Sequence, residues 1–336
     1  MLTNIVSRWE DIKKLKSGEM IWPSFVDFHG TNVCNQHCTG CAYDSLLHTQ
    51  IMPEHRQFEA IDTFLEVGVK AFDFAGGGEP TLAPYLAKAM RYIADRGGHF
   101  ALITNGVKMS DELMDVMVEH GTYLRVSLEA SSPEDYKAYK KTPDWHWTKV
   151  LENIREVIRR RNAANSQLEV SLKFLVGKPL RGRKHYENMR DLVADLGPDR
   201  VTVKAIRHEP DELTLREKVN EASMADFWLA ATPNKHVKIV PKYTADTHPQ
   251  CWLTPVHTLC EWDGKISACC YGYYRGDALV IGNMFETPFR ELWMSSKHWE
   301  VLRGIKPAQC AEVDCKFTGH HEAVEQMERG GAGFWI

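Results

Sequence analysis

The chain has 336 residues, 43% hydrophobic and 26% charged, with a formal net charge of −4. That length suits one α/β barrel plus a small appendage, and the composition excludes a disordered or fibrous protein. The slight acidic balance lacks the basic surplus of a nucleic-acid-binding domain, and no stretch approaches the roughly 18 uninterrupted apolar residues of a membrane span.

From Met1 to Met20, Ile5, Val6, Trp9, Ile12 and Leu15 recur at helical spacing among interleaved charges. This predicts a short amphipathic helix over residues 1–22 rather than a signal peptide, and a cytoplasmic protein. Phe25 to Gly30 alternates as a strand and leads into Cys34, Cys38 and Cys41. Disulfides are rare in the cytoplasm, so the nine cysteines call for another explanation. They fall in two groups, one at Cys34, Cys38 and Cys41 and one from Cys251 to Cys315, whereas buried apolar thiols would scatter. A structural zinc site wants four closed ligands. Cys-x3-Cys-x2-Cys offers three, and three thiolates on a four-iron cube leave one iron open to a substrate or cofactor. His37, wedged between two of these cysteines, reads as an outward-pointing side chain before a fourth ligand.

Next come a helix over Pro53 to Val67 and a buried strand over Ala71 to Ala75, which ends in Gly76-Gly77-Gly78-Glu79-Pro80. Alone this is a glycine-rich turn. Glycines also let a backbone approach a ligand closely, and a carboxylate beside them can hold an ammonium group. A helix over Leu82 to Gly97, a strand over Phe100 to Thr104, Asn105-Gly106 and a helix from Ser110 follow. The strand Tyr123 to Leu128 then places Ser127 and Glu129 at its carboxyl end, where α/β barrels carry ligand-binding groups. A helix over Trp147 to Arg161, a strand over Leu168 to Val176 carrying Lys173, a helix over Arg183 to Leu196 and a strand over Val201 to Ile206 complete the series. Six strands alternating with helices imply a parallel sheet with right-handed crossovers, assigned to residues 23–210. Arg207 to Leu213 reads as the exit and residues 211–245 as a linker with a helix over Ala222 to Ala231.

Residues 246–336 form the second predicted domain. Cys251 is followed by twelve residues, Gly264, four residues and Cys269, with Cys310 and Cys315 further on. Strands over His257 to Trp262 and Lys265 to Cys269 flank an Asp263-Gly264 hairpin turn, and a helix covers Pro288 to Arg303. Structural zinc is the alternative to an iron–sulfur centre at these tail cysteines.

The segment Cys34-Asn35-Gln36-His37-Cys38-Thr39-Gly40-Cys41 resembles the signature of the radical S-adenosylmethionine (radical SAM) superfamily. Gly77, Gly78, Glu79 and Pro80 match that family's Gly-Gly-Glu-Pro motif letter for letter. The resemblance implies an α/β fold, a partial (β/α)6 TIM-like barrel with a small C-terminal cysteine-rich β-hairpin plus helix domain. It implies a [4Fe–4S] cluster on Cys34, Cys38 and Cys41 whose open iron chelates S-adenosylmethionine, and reductive cleavage to a 5′-deoxyadenosyl radical that abstracts a substrate hydrogen. The Gly-Gly-Glu-Pro residues would contact the methionyl amino group and Ser127 the ribose or methionine part, with Tyr43, Asn105, Glu129 and Lys173 as further cofactor contacts. Gly40 stands where many relatives carry an aromatic residue, and Glu129 where many carry aspartate.

The tail resembles the SPASM and shortened twitch extensions of such barrels, down to Gly282-Asn283-Met284 ahead of Leu292 and Trp293. That implies an auxiliary [4Fe–4S] cluster on Cys251, Cys269, Cys310 and Cys315. Cys260 and Cys270 are then spare: each is a replacement ligand, a buried thiol, or a catalytic hydrogen-atom donor to a substrate radical. The expected reaction is oxidation or epimerisation of a sugar- or nucleoside-like small molecule. Modification of a ribosomal peptide is the alternative, and a non-catalytic iron–sulfur or zinc protein the remote one. The first strand begins at Phe25, leaving little chain ahead of it for a peptide-recognition domain. A flavodoxin- or ferredoxin-type electron donor is implied as partner, with neither nucleic acid nor membrane. Arg125, Arg207, His208 and Tyr271 are candidate substrate contacts by position.

Overall fold

The computed structural model describes residues 8–41, 43, 49–178, 180–206, 213–232, 234–239, 251–270, 277–306 and the single positions 321, 324 and 327. In chain order the elements are α1 (Trp9–Lys16), β1 (Phe25–Phe28), α2 (Glu54–Glu66), β2 (Ala71–Phe74), α3 (Leu86–Asp95), β3 (His99–Thr104), α4 (Asp111–His120) and β4 (Tyr123–Glu129). There follow α5 (Pro133–Lys140), α6 (Trp145–Ala163), β5 (Glu169–Val176), α7 (Arg183–Leu196), β6 (Arg200–Ala205), α8 (Leu215–Trp228) and β7 (Lys235–Lys238). The series ends with β8 (His257–Cys260), β9 (Lys265–Ser267), β10 (Val280–Asn283), α9 (Phe289–Trp293) and α10 (Ser296–Gly304). Two compact units result, one of Phe28–Phe58 and Ala71–Val240, the other of Met1–Asp27, Glu59–Lys70 and Pro241–Ile336. The second unit therefore gathers the N-terminal helix with the tail.

In the larger unit β2 to β7 pair in parallel, each with the next, as a partial barrel sheet. Alternation along the strands gives the sheet two chemically different faces. One carries Phe72, Phe74, Phe100, Leu102, Leu124, Val126, Leu128, Val170, Leu172, Phe174, Val201 and Val203, all at most 2% exposed, and is the core. The other is polar. Register aligns Ile103, Arg125, Ser171 and Arg200 in one row and Ser127, Lys173 and Thr202 in the next. Tyr123 donates to Asp73 (3.0 Å), and Arg200 grips Glu169 with two bonds of 2.7 and 3.0 Å.

The structure adds two elements to the predicted series. β7 extends the sheet beyond the six expected strands, and α5 fills the gap before α6. The linking helix begins earlier than predicted, because Thr214 and Glu217 form a reciprocal capping box at its start.

In the smaller unit β8, β9 and β10 form an antiparallel meander. Gly264 takes the left-handed φ of +86° that the Asp263-Gly264 turn requires. Gly282 and Asn283 form the end of β10. The predicted helix over Pro288 to Arg303 is two helices, since Ser295 accepts a bond from the His298 N–H and starts α10 afresh. The rings of Phe64, Phe289 and Trp293 pack in sequence at 5.0 and 5.4 Å, and the buried Trp293 indole donates to the Ile21 carbonyl at 2.6 Å. Among the described residues no helix is long and apolar enough to cross a membrane.

Candidate active site

The loop after β1 is closed at its base by antiparallel bonds, Asn32 N–H to the Gln50 carbonyl (3.0 Å) and Met52 N–H to the Gly30 carbonyl (2.9 Å). Two further contacts hold it over the polar face of the sheet. Glu79 N–H donates to the Val33 carbonyl at 2.8 Å, and a Cβ on Gly78 would lie 2.2 Å from that same oxygen. Gly78 thus spends its missing side chain on the approach of two stretches of backbone. On the far side, His37 N–H donates to the Lys140 carbonyl (3.1 Å) and Thr39 N–H to the Tyr139 carbonyl (2.9 Å). These carbonyls belong to the last turn of α5, where a helix has no N–H donors of its own to satisfy them.

Side chains finish the fastening. The buried Glu79 carboxylate accepts from the Thr81 hydroxyl (2.7 Å), the Thr104 hydroxyl (2.6 Å) and Asn105 N–H (2.7 Å), so it ties the end of β2 to the end of β3. Asn105 in turn donates its amide to Asn35 in the cysteine loop at 2.7 Å. Gln36 donates to the Tyr136 hydroxyl (3.0 Å), and its carbonyl oxygen lies 3.7 Å from the Cys38 thiol.

The cradle carries Cys34 and Cys38, both half-buried, and Cys41, which is exposed. Burial, partly countered by the Gln36 N–H, pushes the Cys34 thiol up to about 12, and the negative charge of Glu79, Cys38 and Cys41 adds to the rise. Cys38 is pushed up as well, first by burial, with Lys140 pulling it back and Cys41 opposing. Thiols kept un-ionised chiefly by burial are a donor set that a metal completes, because a coordinating thiol is deprotonated by the ion it binds. The residues fit the cluster that their spacing calls for.

The remaining cofactor candidates converge on the same place. Ser127 faces Lys173 across β4 and β5, and the Ser127 carbonyl accepts from the Lys140 ammonium at 2.8 Å. Glu129 follows a bulge in β4 and sits at φ +70°, left-handed backbone that costs a non-glycine residue about 1–3 kcal/mol. One of its oxygens pairs with Lys173 at 2.8 Å; the other is buried and makes no hydrogen bond. Tyr43 stacks edge-on with His29 at 5.8 Å, close beside Gly76. Arg125 lies on the same polar face one row from Ser127. Arg207, His208 and Tyr271 lie outside the described residues.

Sequence reading missed Lys140 and Gln36. The signal for α5 is there, in Ser132 as cap with Pro133 at the first helical position and two acids behind it. A lysine at the end of such a helix ordinarily reads as solvated, yet Lys140 is 2% exposed.

In the smaller unit Leu259 pairs with Ser267 and Cys260 with Ile266. Continuing that register by two residues sets His257 opposite Cys269. The ligating atoms of His257, Cys269 and Cys270 all lie within 4.8 Å of one another, and Cys270 N–H donates to the His257 ring at 3.2 Å. Cys260 alternates to the other face of β8, where its fully buried thiol lies 3.7 Å from the Met284 sulfur. Cys251 is buried with its thiol 3.4 Å from His321. Cys310 and Cys315 lie outside the described residues. His257 and His321 are donors the sequence reading did not single out.

The profile of the radical SAM superfamily matches residues 29–168, and that of SPASM, an iron–sulfur cluster-binding domain, matches residues 251–316. The chain thus carries a radical SAM domain followed by a SPASM domain. Its cofactors are accordingly a [4Fe–4S] cluster, S-adenosylmethionine and an auxiliary cluster. The radical SAM chain is 24% identical over 256 residues to an S-adenosylmethionine-dependent nucleotide dehydratase of Flammeovirga pacifica, covering 68% of this chain and 84% of that one. It is 23% identical over 303 residues to an AdoMet-dependent heme synthase of Methanosarcina barkeri, covering 82% of each. Its fold is similar to that of Streptococcus suis SuiB bound to S-adenosylmethionine, with a TM-score of 0.69 at 12% identity, over 87% of this chain and 70% of SuiB.

Proposed function

We propose that this radical SAM enzyme holds its catalytic cluster on Cys34, Cys38 and Cys41 and oxidises or epimerises a sugar- or nucleoside-like small molecule. When bound, the cluster supplies the electron that cleaves S-adenosylmethionine, and the released adenosyl group takes a hydrogen atom from the substrate. The chain's own part is positioning. Gly77, Gly78, Glu79 and Pro80 border the trio, and the Glu79 hydrogen bonds keep that border rigid. The unbonded oxygen of Glu129 is turned to accept from a cofactor hydroxyl or ammonium group, while Lys173 fixes the other oxygen.

The observation that carries the reading is the pairing of this thiol cradle with the polar sheet face bearing Arg125, Ser127, Lys173 and Thr202, which suits a hydroxyl-rich ligand better than an apolar one. Likeness to a relative named as a nucleotide dehydratase supports the nucleoside class. An auxiliary cluster in the SPASM domain gives a substrate electron somewhere to go, which favours net oxidation. Of the two spare cysteines, Cys270 stands at the corner with His257 and Cys269 as ligand or hydrogen donor, and Cys260 is core.

Anaerobic reconstitution followed by dithionite and S-adenosylmethionine tests the reading. Formation of 5′-deoxyadenosine is expected, with iron at about eight per chain for two four-iron clusters, and a Cys38→Ala variant is expected to form none. Absence of 5′-deoxyadenosine from fully reconstituted wild type overturns it. Transfer of deuterium from labelled nucleosides or sugars, rather than from labelled peptides, is expected to identify the substrate class.

A further inference from the structure

We propose that Lys140 is the built-in countercharge of the cysteine trio, a positioning residue that stabilises the reduced cluster and so raises its midpoint potential. The inference rests on the trio holding a cluster. Lys140 ends α5 with its side chain turned inward and 2% exposed. Its ammonium donates to the Ser127 carbonyl at 2.8 Å and lies 5.8 Å from the centre of the Tyr136 ring. Burying a cation away from a counter-ion costs several kcal/mol, so such a site persists where negative charge is due to arrive. The Lys140 carbonyl accepts from the N–H of His37, the residue before Cys38, at 3.1 Å, so this end of α5 is fastened to the cysteine loop. Glu129 already pairs with Lys173.

The logic is electrostatic. A cluster that takes up one electron from an external reductant gains one negative charge in a pocket screened from water, and a fixed cation nearby lowers the cost of that step. Hydrogen bonds from the loop to α5 use the Lys140 and Tyr139 carbonyls, so replacing the Lys140 side chain leaves them in place. The sequence position is compatible with nothing more than a solvated lysine; only the inward turn beside Ser127 separates the two.

The test uses the full-length, anaerobically reconstituted protein, titrated with dithionite in the absence of substrate and followed by electron paramagnetic resonance. Lys140→Met is expected to retain wild-type iron and to lower the catalytic cluster's potential by at least the tenfold shift in oxidised-to-reduced ratio that equals about 59 mV for one electron. Lys140→Arg, which keeps the charge, is expected to stay near wild type. An unchanged potential in iron-replete Lys140→Met overturns the inference. If Lys140→Met folds by circular dichroism but loses trio iron while Lys140→Arg keeps it, the charge requirement stands; loss in both overturns it in favour of shape. Wild type without iron at the trio removes the underlying reading instead, which separates the two failures.

Discussion

Gly78 shows how one atom's absence can organise a site. A methyl group there would meet the Val33 carbonyl oxygen at 2.2 Å, against backbone that has no rotamer to yield. Gly78→Ala is expected to cost about 1–3 kcal/mol by overpacking and to lower trio iron, read by thermal unfolding and iron analysis; wild-type values in both would refute this role. Glu129 is a second case. Asparagine tolerates left-handed backbone, so Glu129→Asn is expected to leave stability within about 1 kcal/mol. Loss of the charge facing Lys173 is expected to slow 5′-deoxyadenosine formation about tenfold, the equivalent of ~1.4 kcal/mol. Unaltered cleavage would show the unbonded oxygen to be idle. The cysteines were legible because their residue type and spacing carry the chemistry. The partner of Gly78 was not, since Val33 lies far away in sequence and nothing local marks the contact.

At the scale of elements, α5 is the clamp. Its first turn is capped by Ser132, whose hydroxyl accepts from Asp135 N–H at 3.2 Å, and its last turn receives the cysteine loop. Ser132→Ala is expected to cost about 1 kcal/mol, the usual worth of such a cap. Because the same helix presents the Tyr139 and Lys140 carbonyls, the variant is also expected to release trio iron faster to a chelator than wild type does. Equal release rates would uncouple the cap from the loop. Strongly periodic elements such as α6, β4 and β5 were readable from the sequence, as were the hairpin turn and the strand-to-motif order. Short or composite ones were not: β7 has only four half-buried residues, and α9 and α10 share one apolar stripe that the Ser295 cap divides.

For the molecule as a whole, each unit carries a histidine that burial holds neutral, and this makes acid the common weakness. His298 donates from its Nδ1 to the Trp293 carbonyl at 2.8 Å, and its other ring nitrogen is buried without a hydrogen bond. Burial pushes its pKa down to about 4 against the opposing pull of that carbonyl. In the larger unit His185, fixed between Ser131 (2.8 Å) and the Leu175 carbonyl (3.1 Å), is lowered by burial too. Unfolded chains bind a proton at such histidines near pH 6.5, whereas the folded chain refuses it until lower pH. Stability is therefore whole above pH 6.5 and declines as pH falls towards about 4, where the His298 contribution is fully lost. At 1.36 kcal/mol per pH unit, His298 alone accounts for about 3 kcal/mol. His298→Gln removes that titration, so the fall in denaturant midpoint between pH 7 and pH 4.5 is expected to shrink in the variant. A slope identical to wild type would place the acid sensitivity elsewhere, with His185 and the buried His146, both lowered by burial, as further sources.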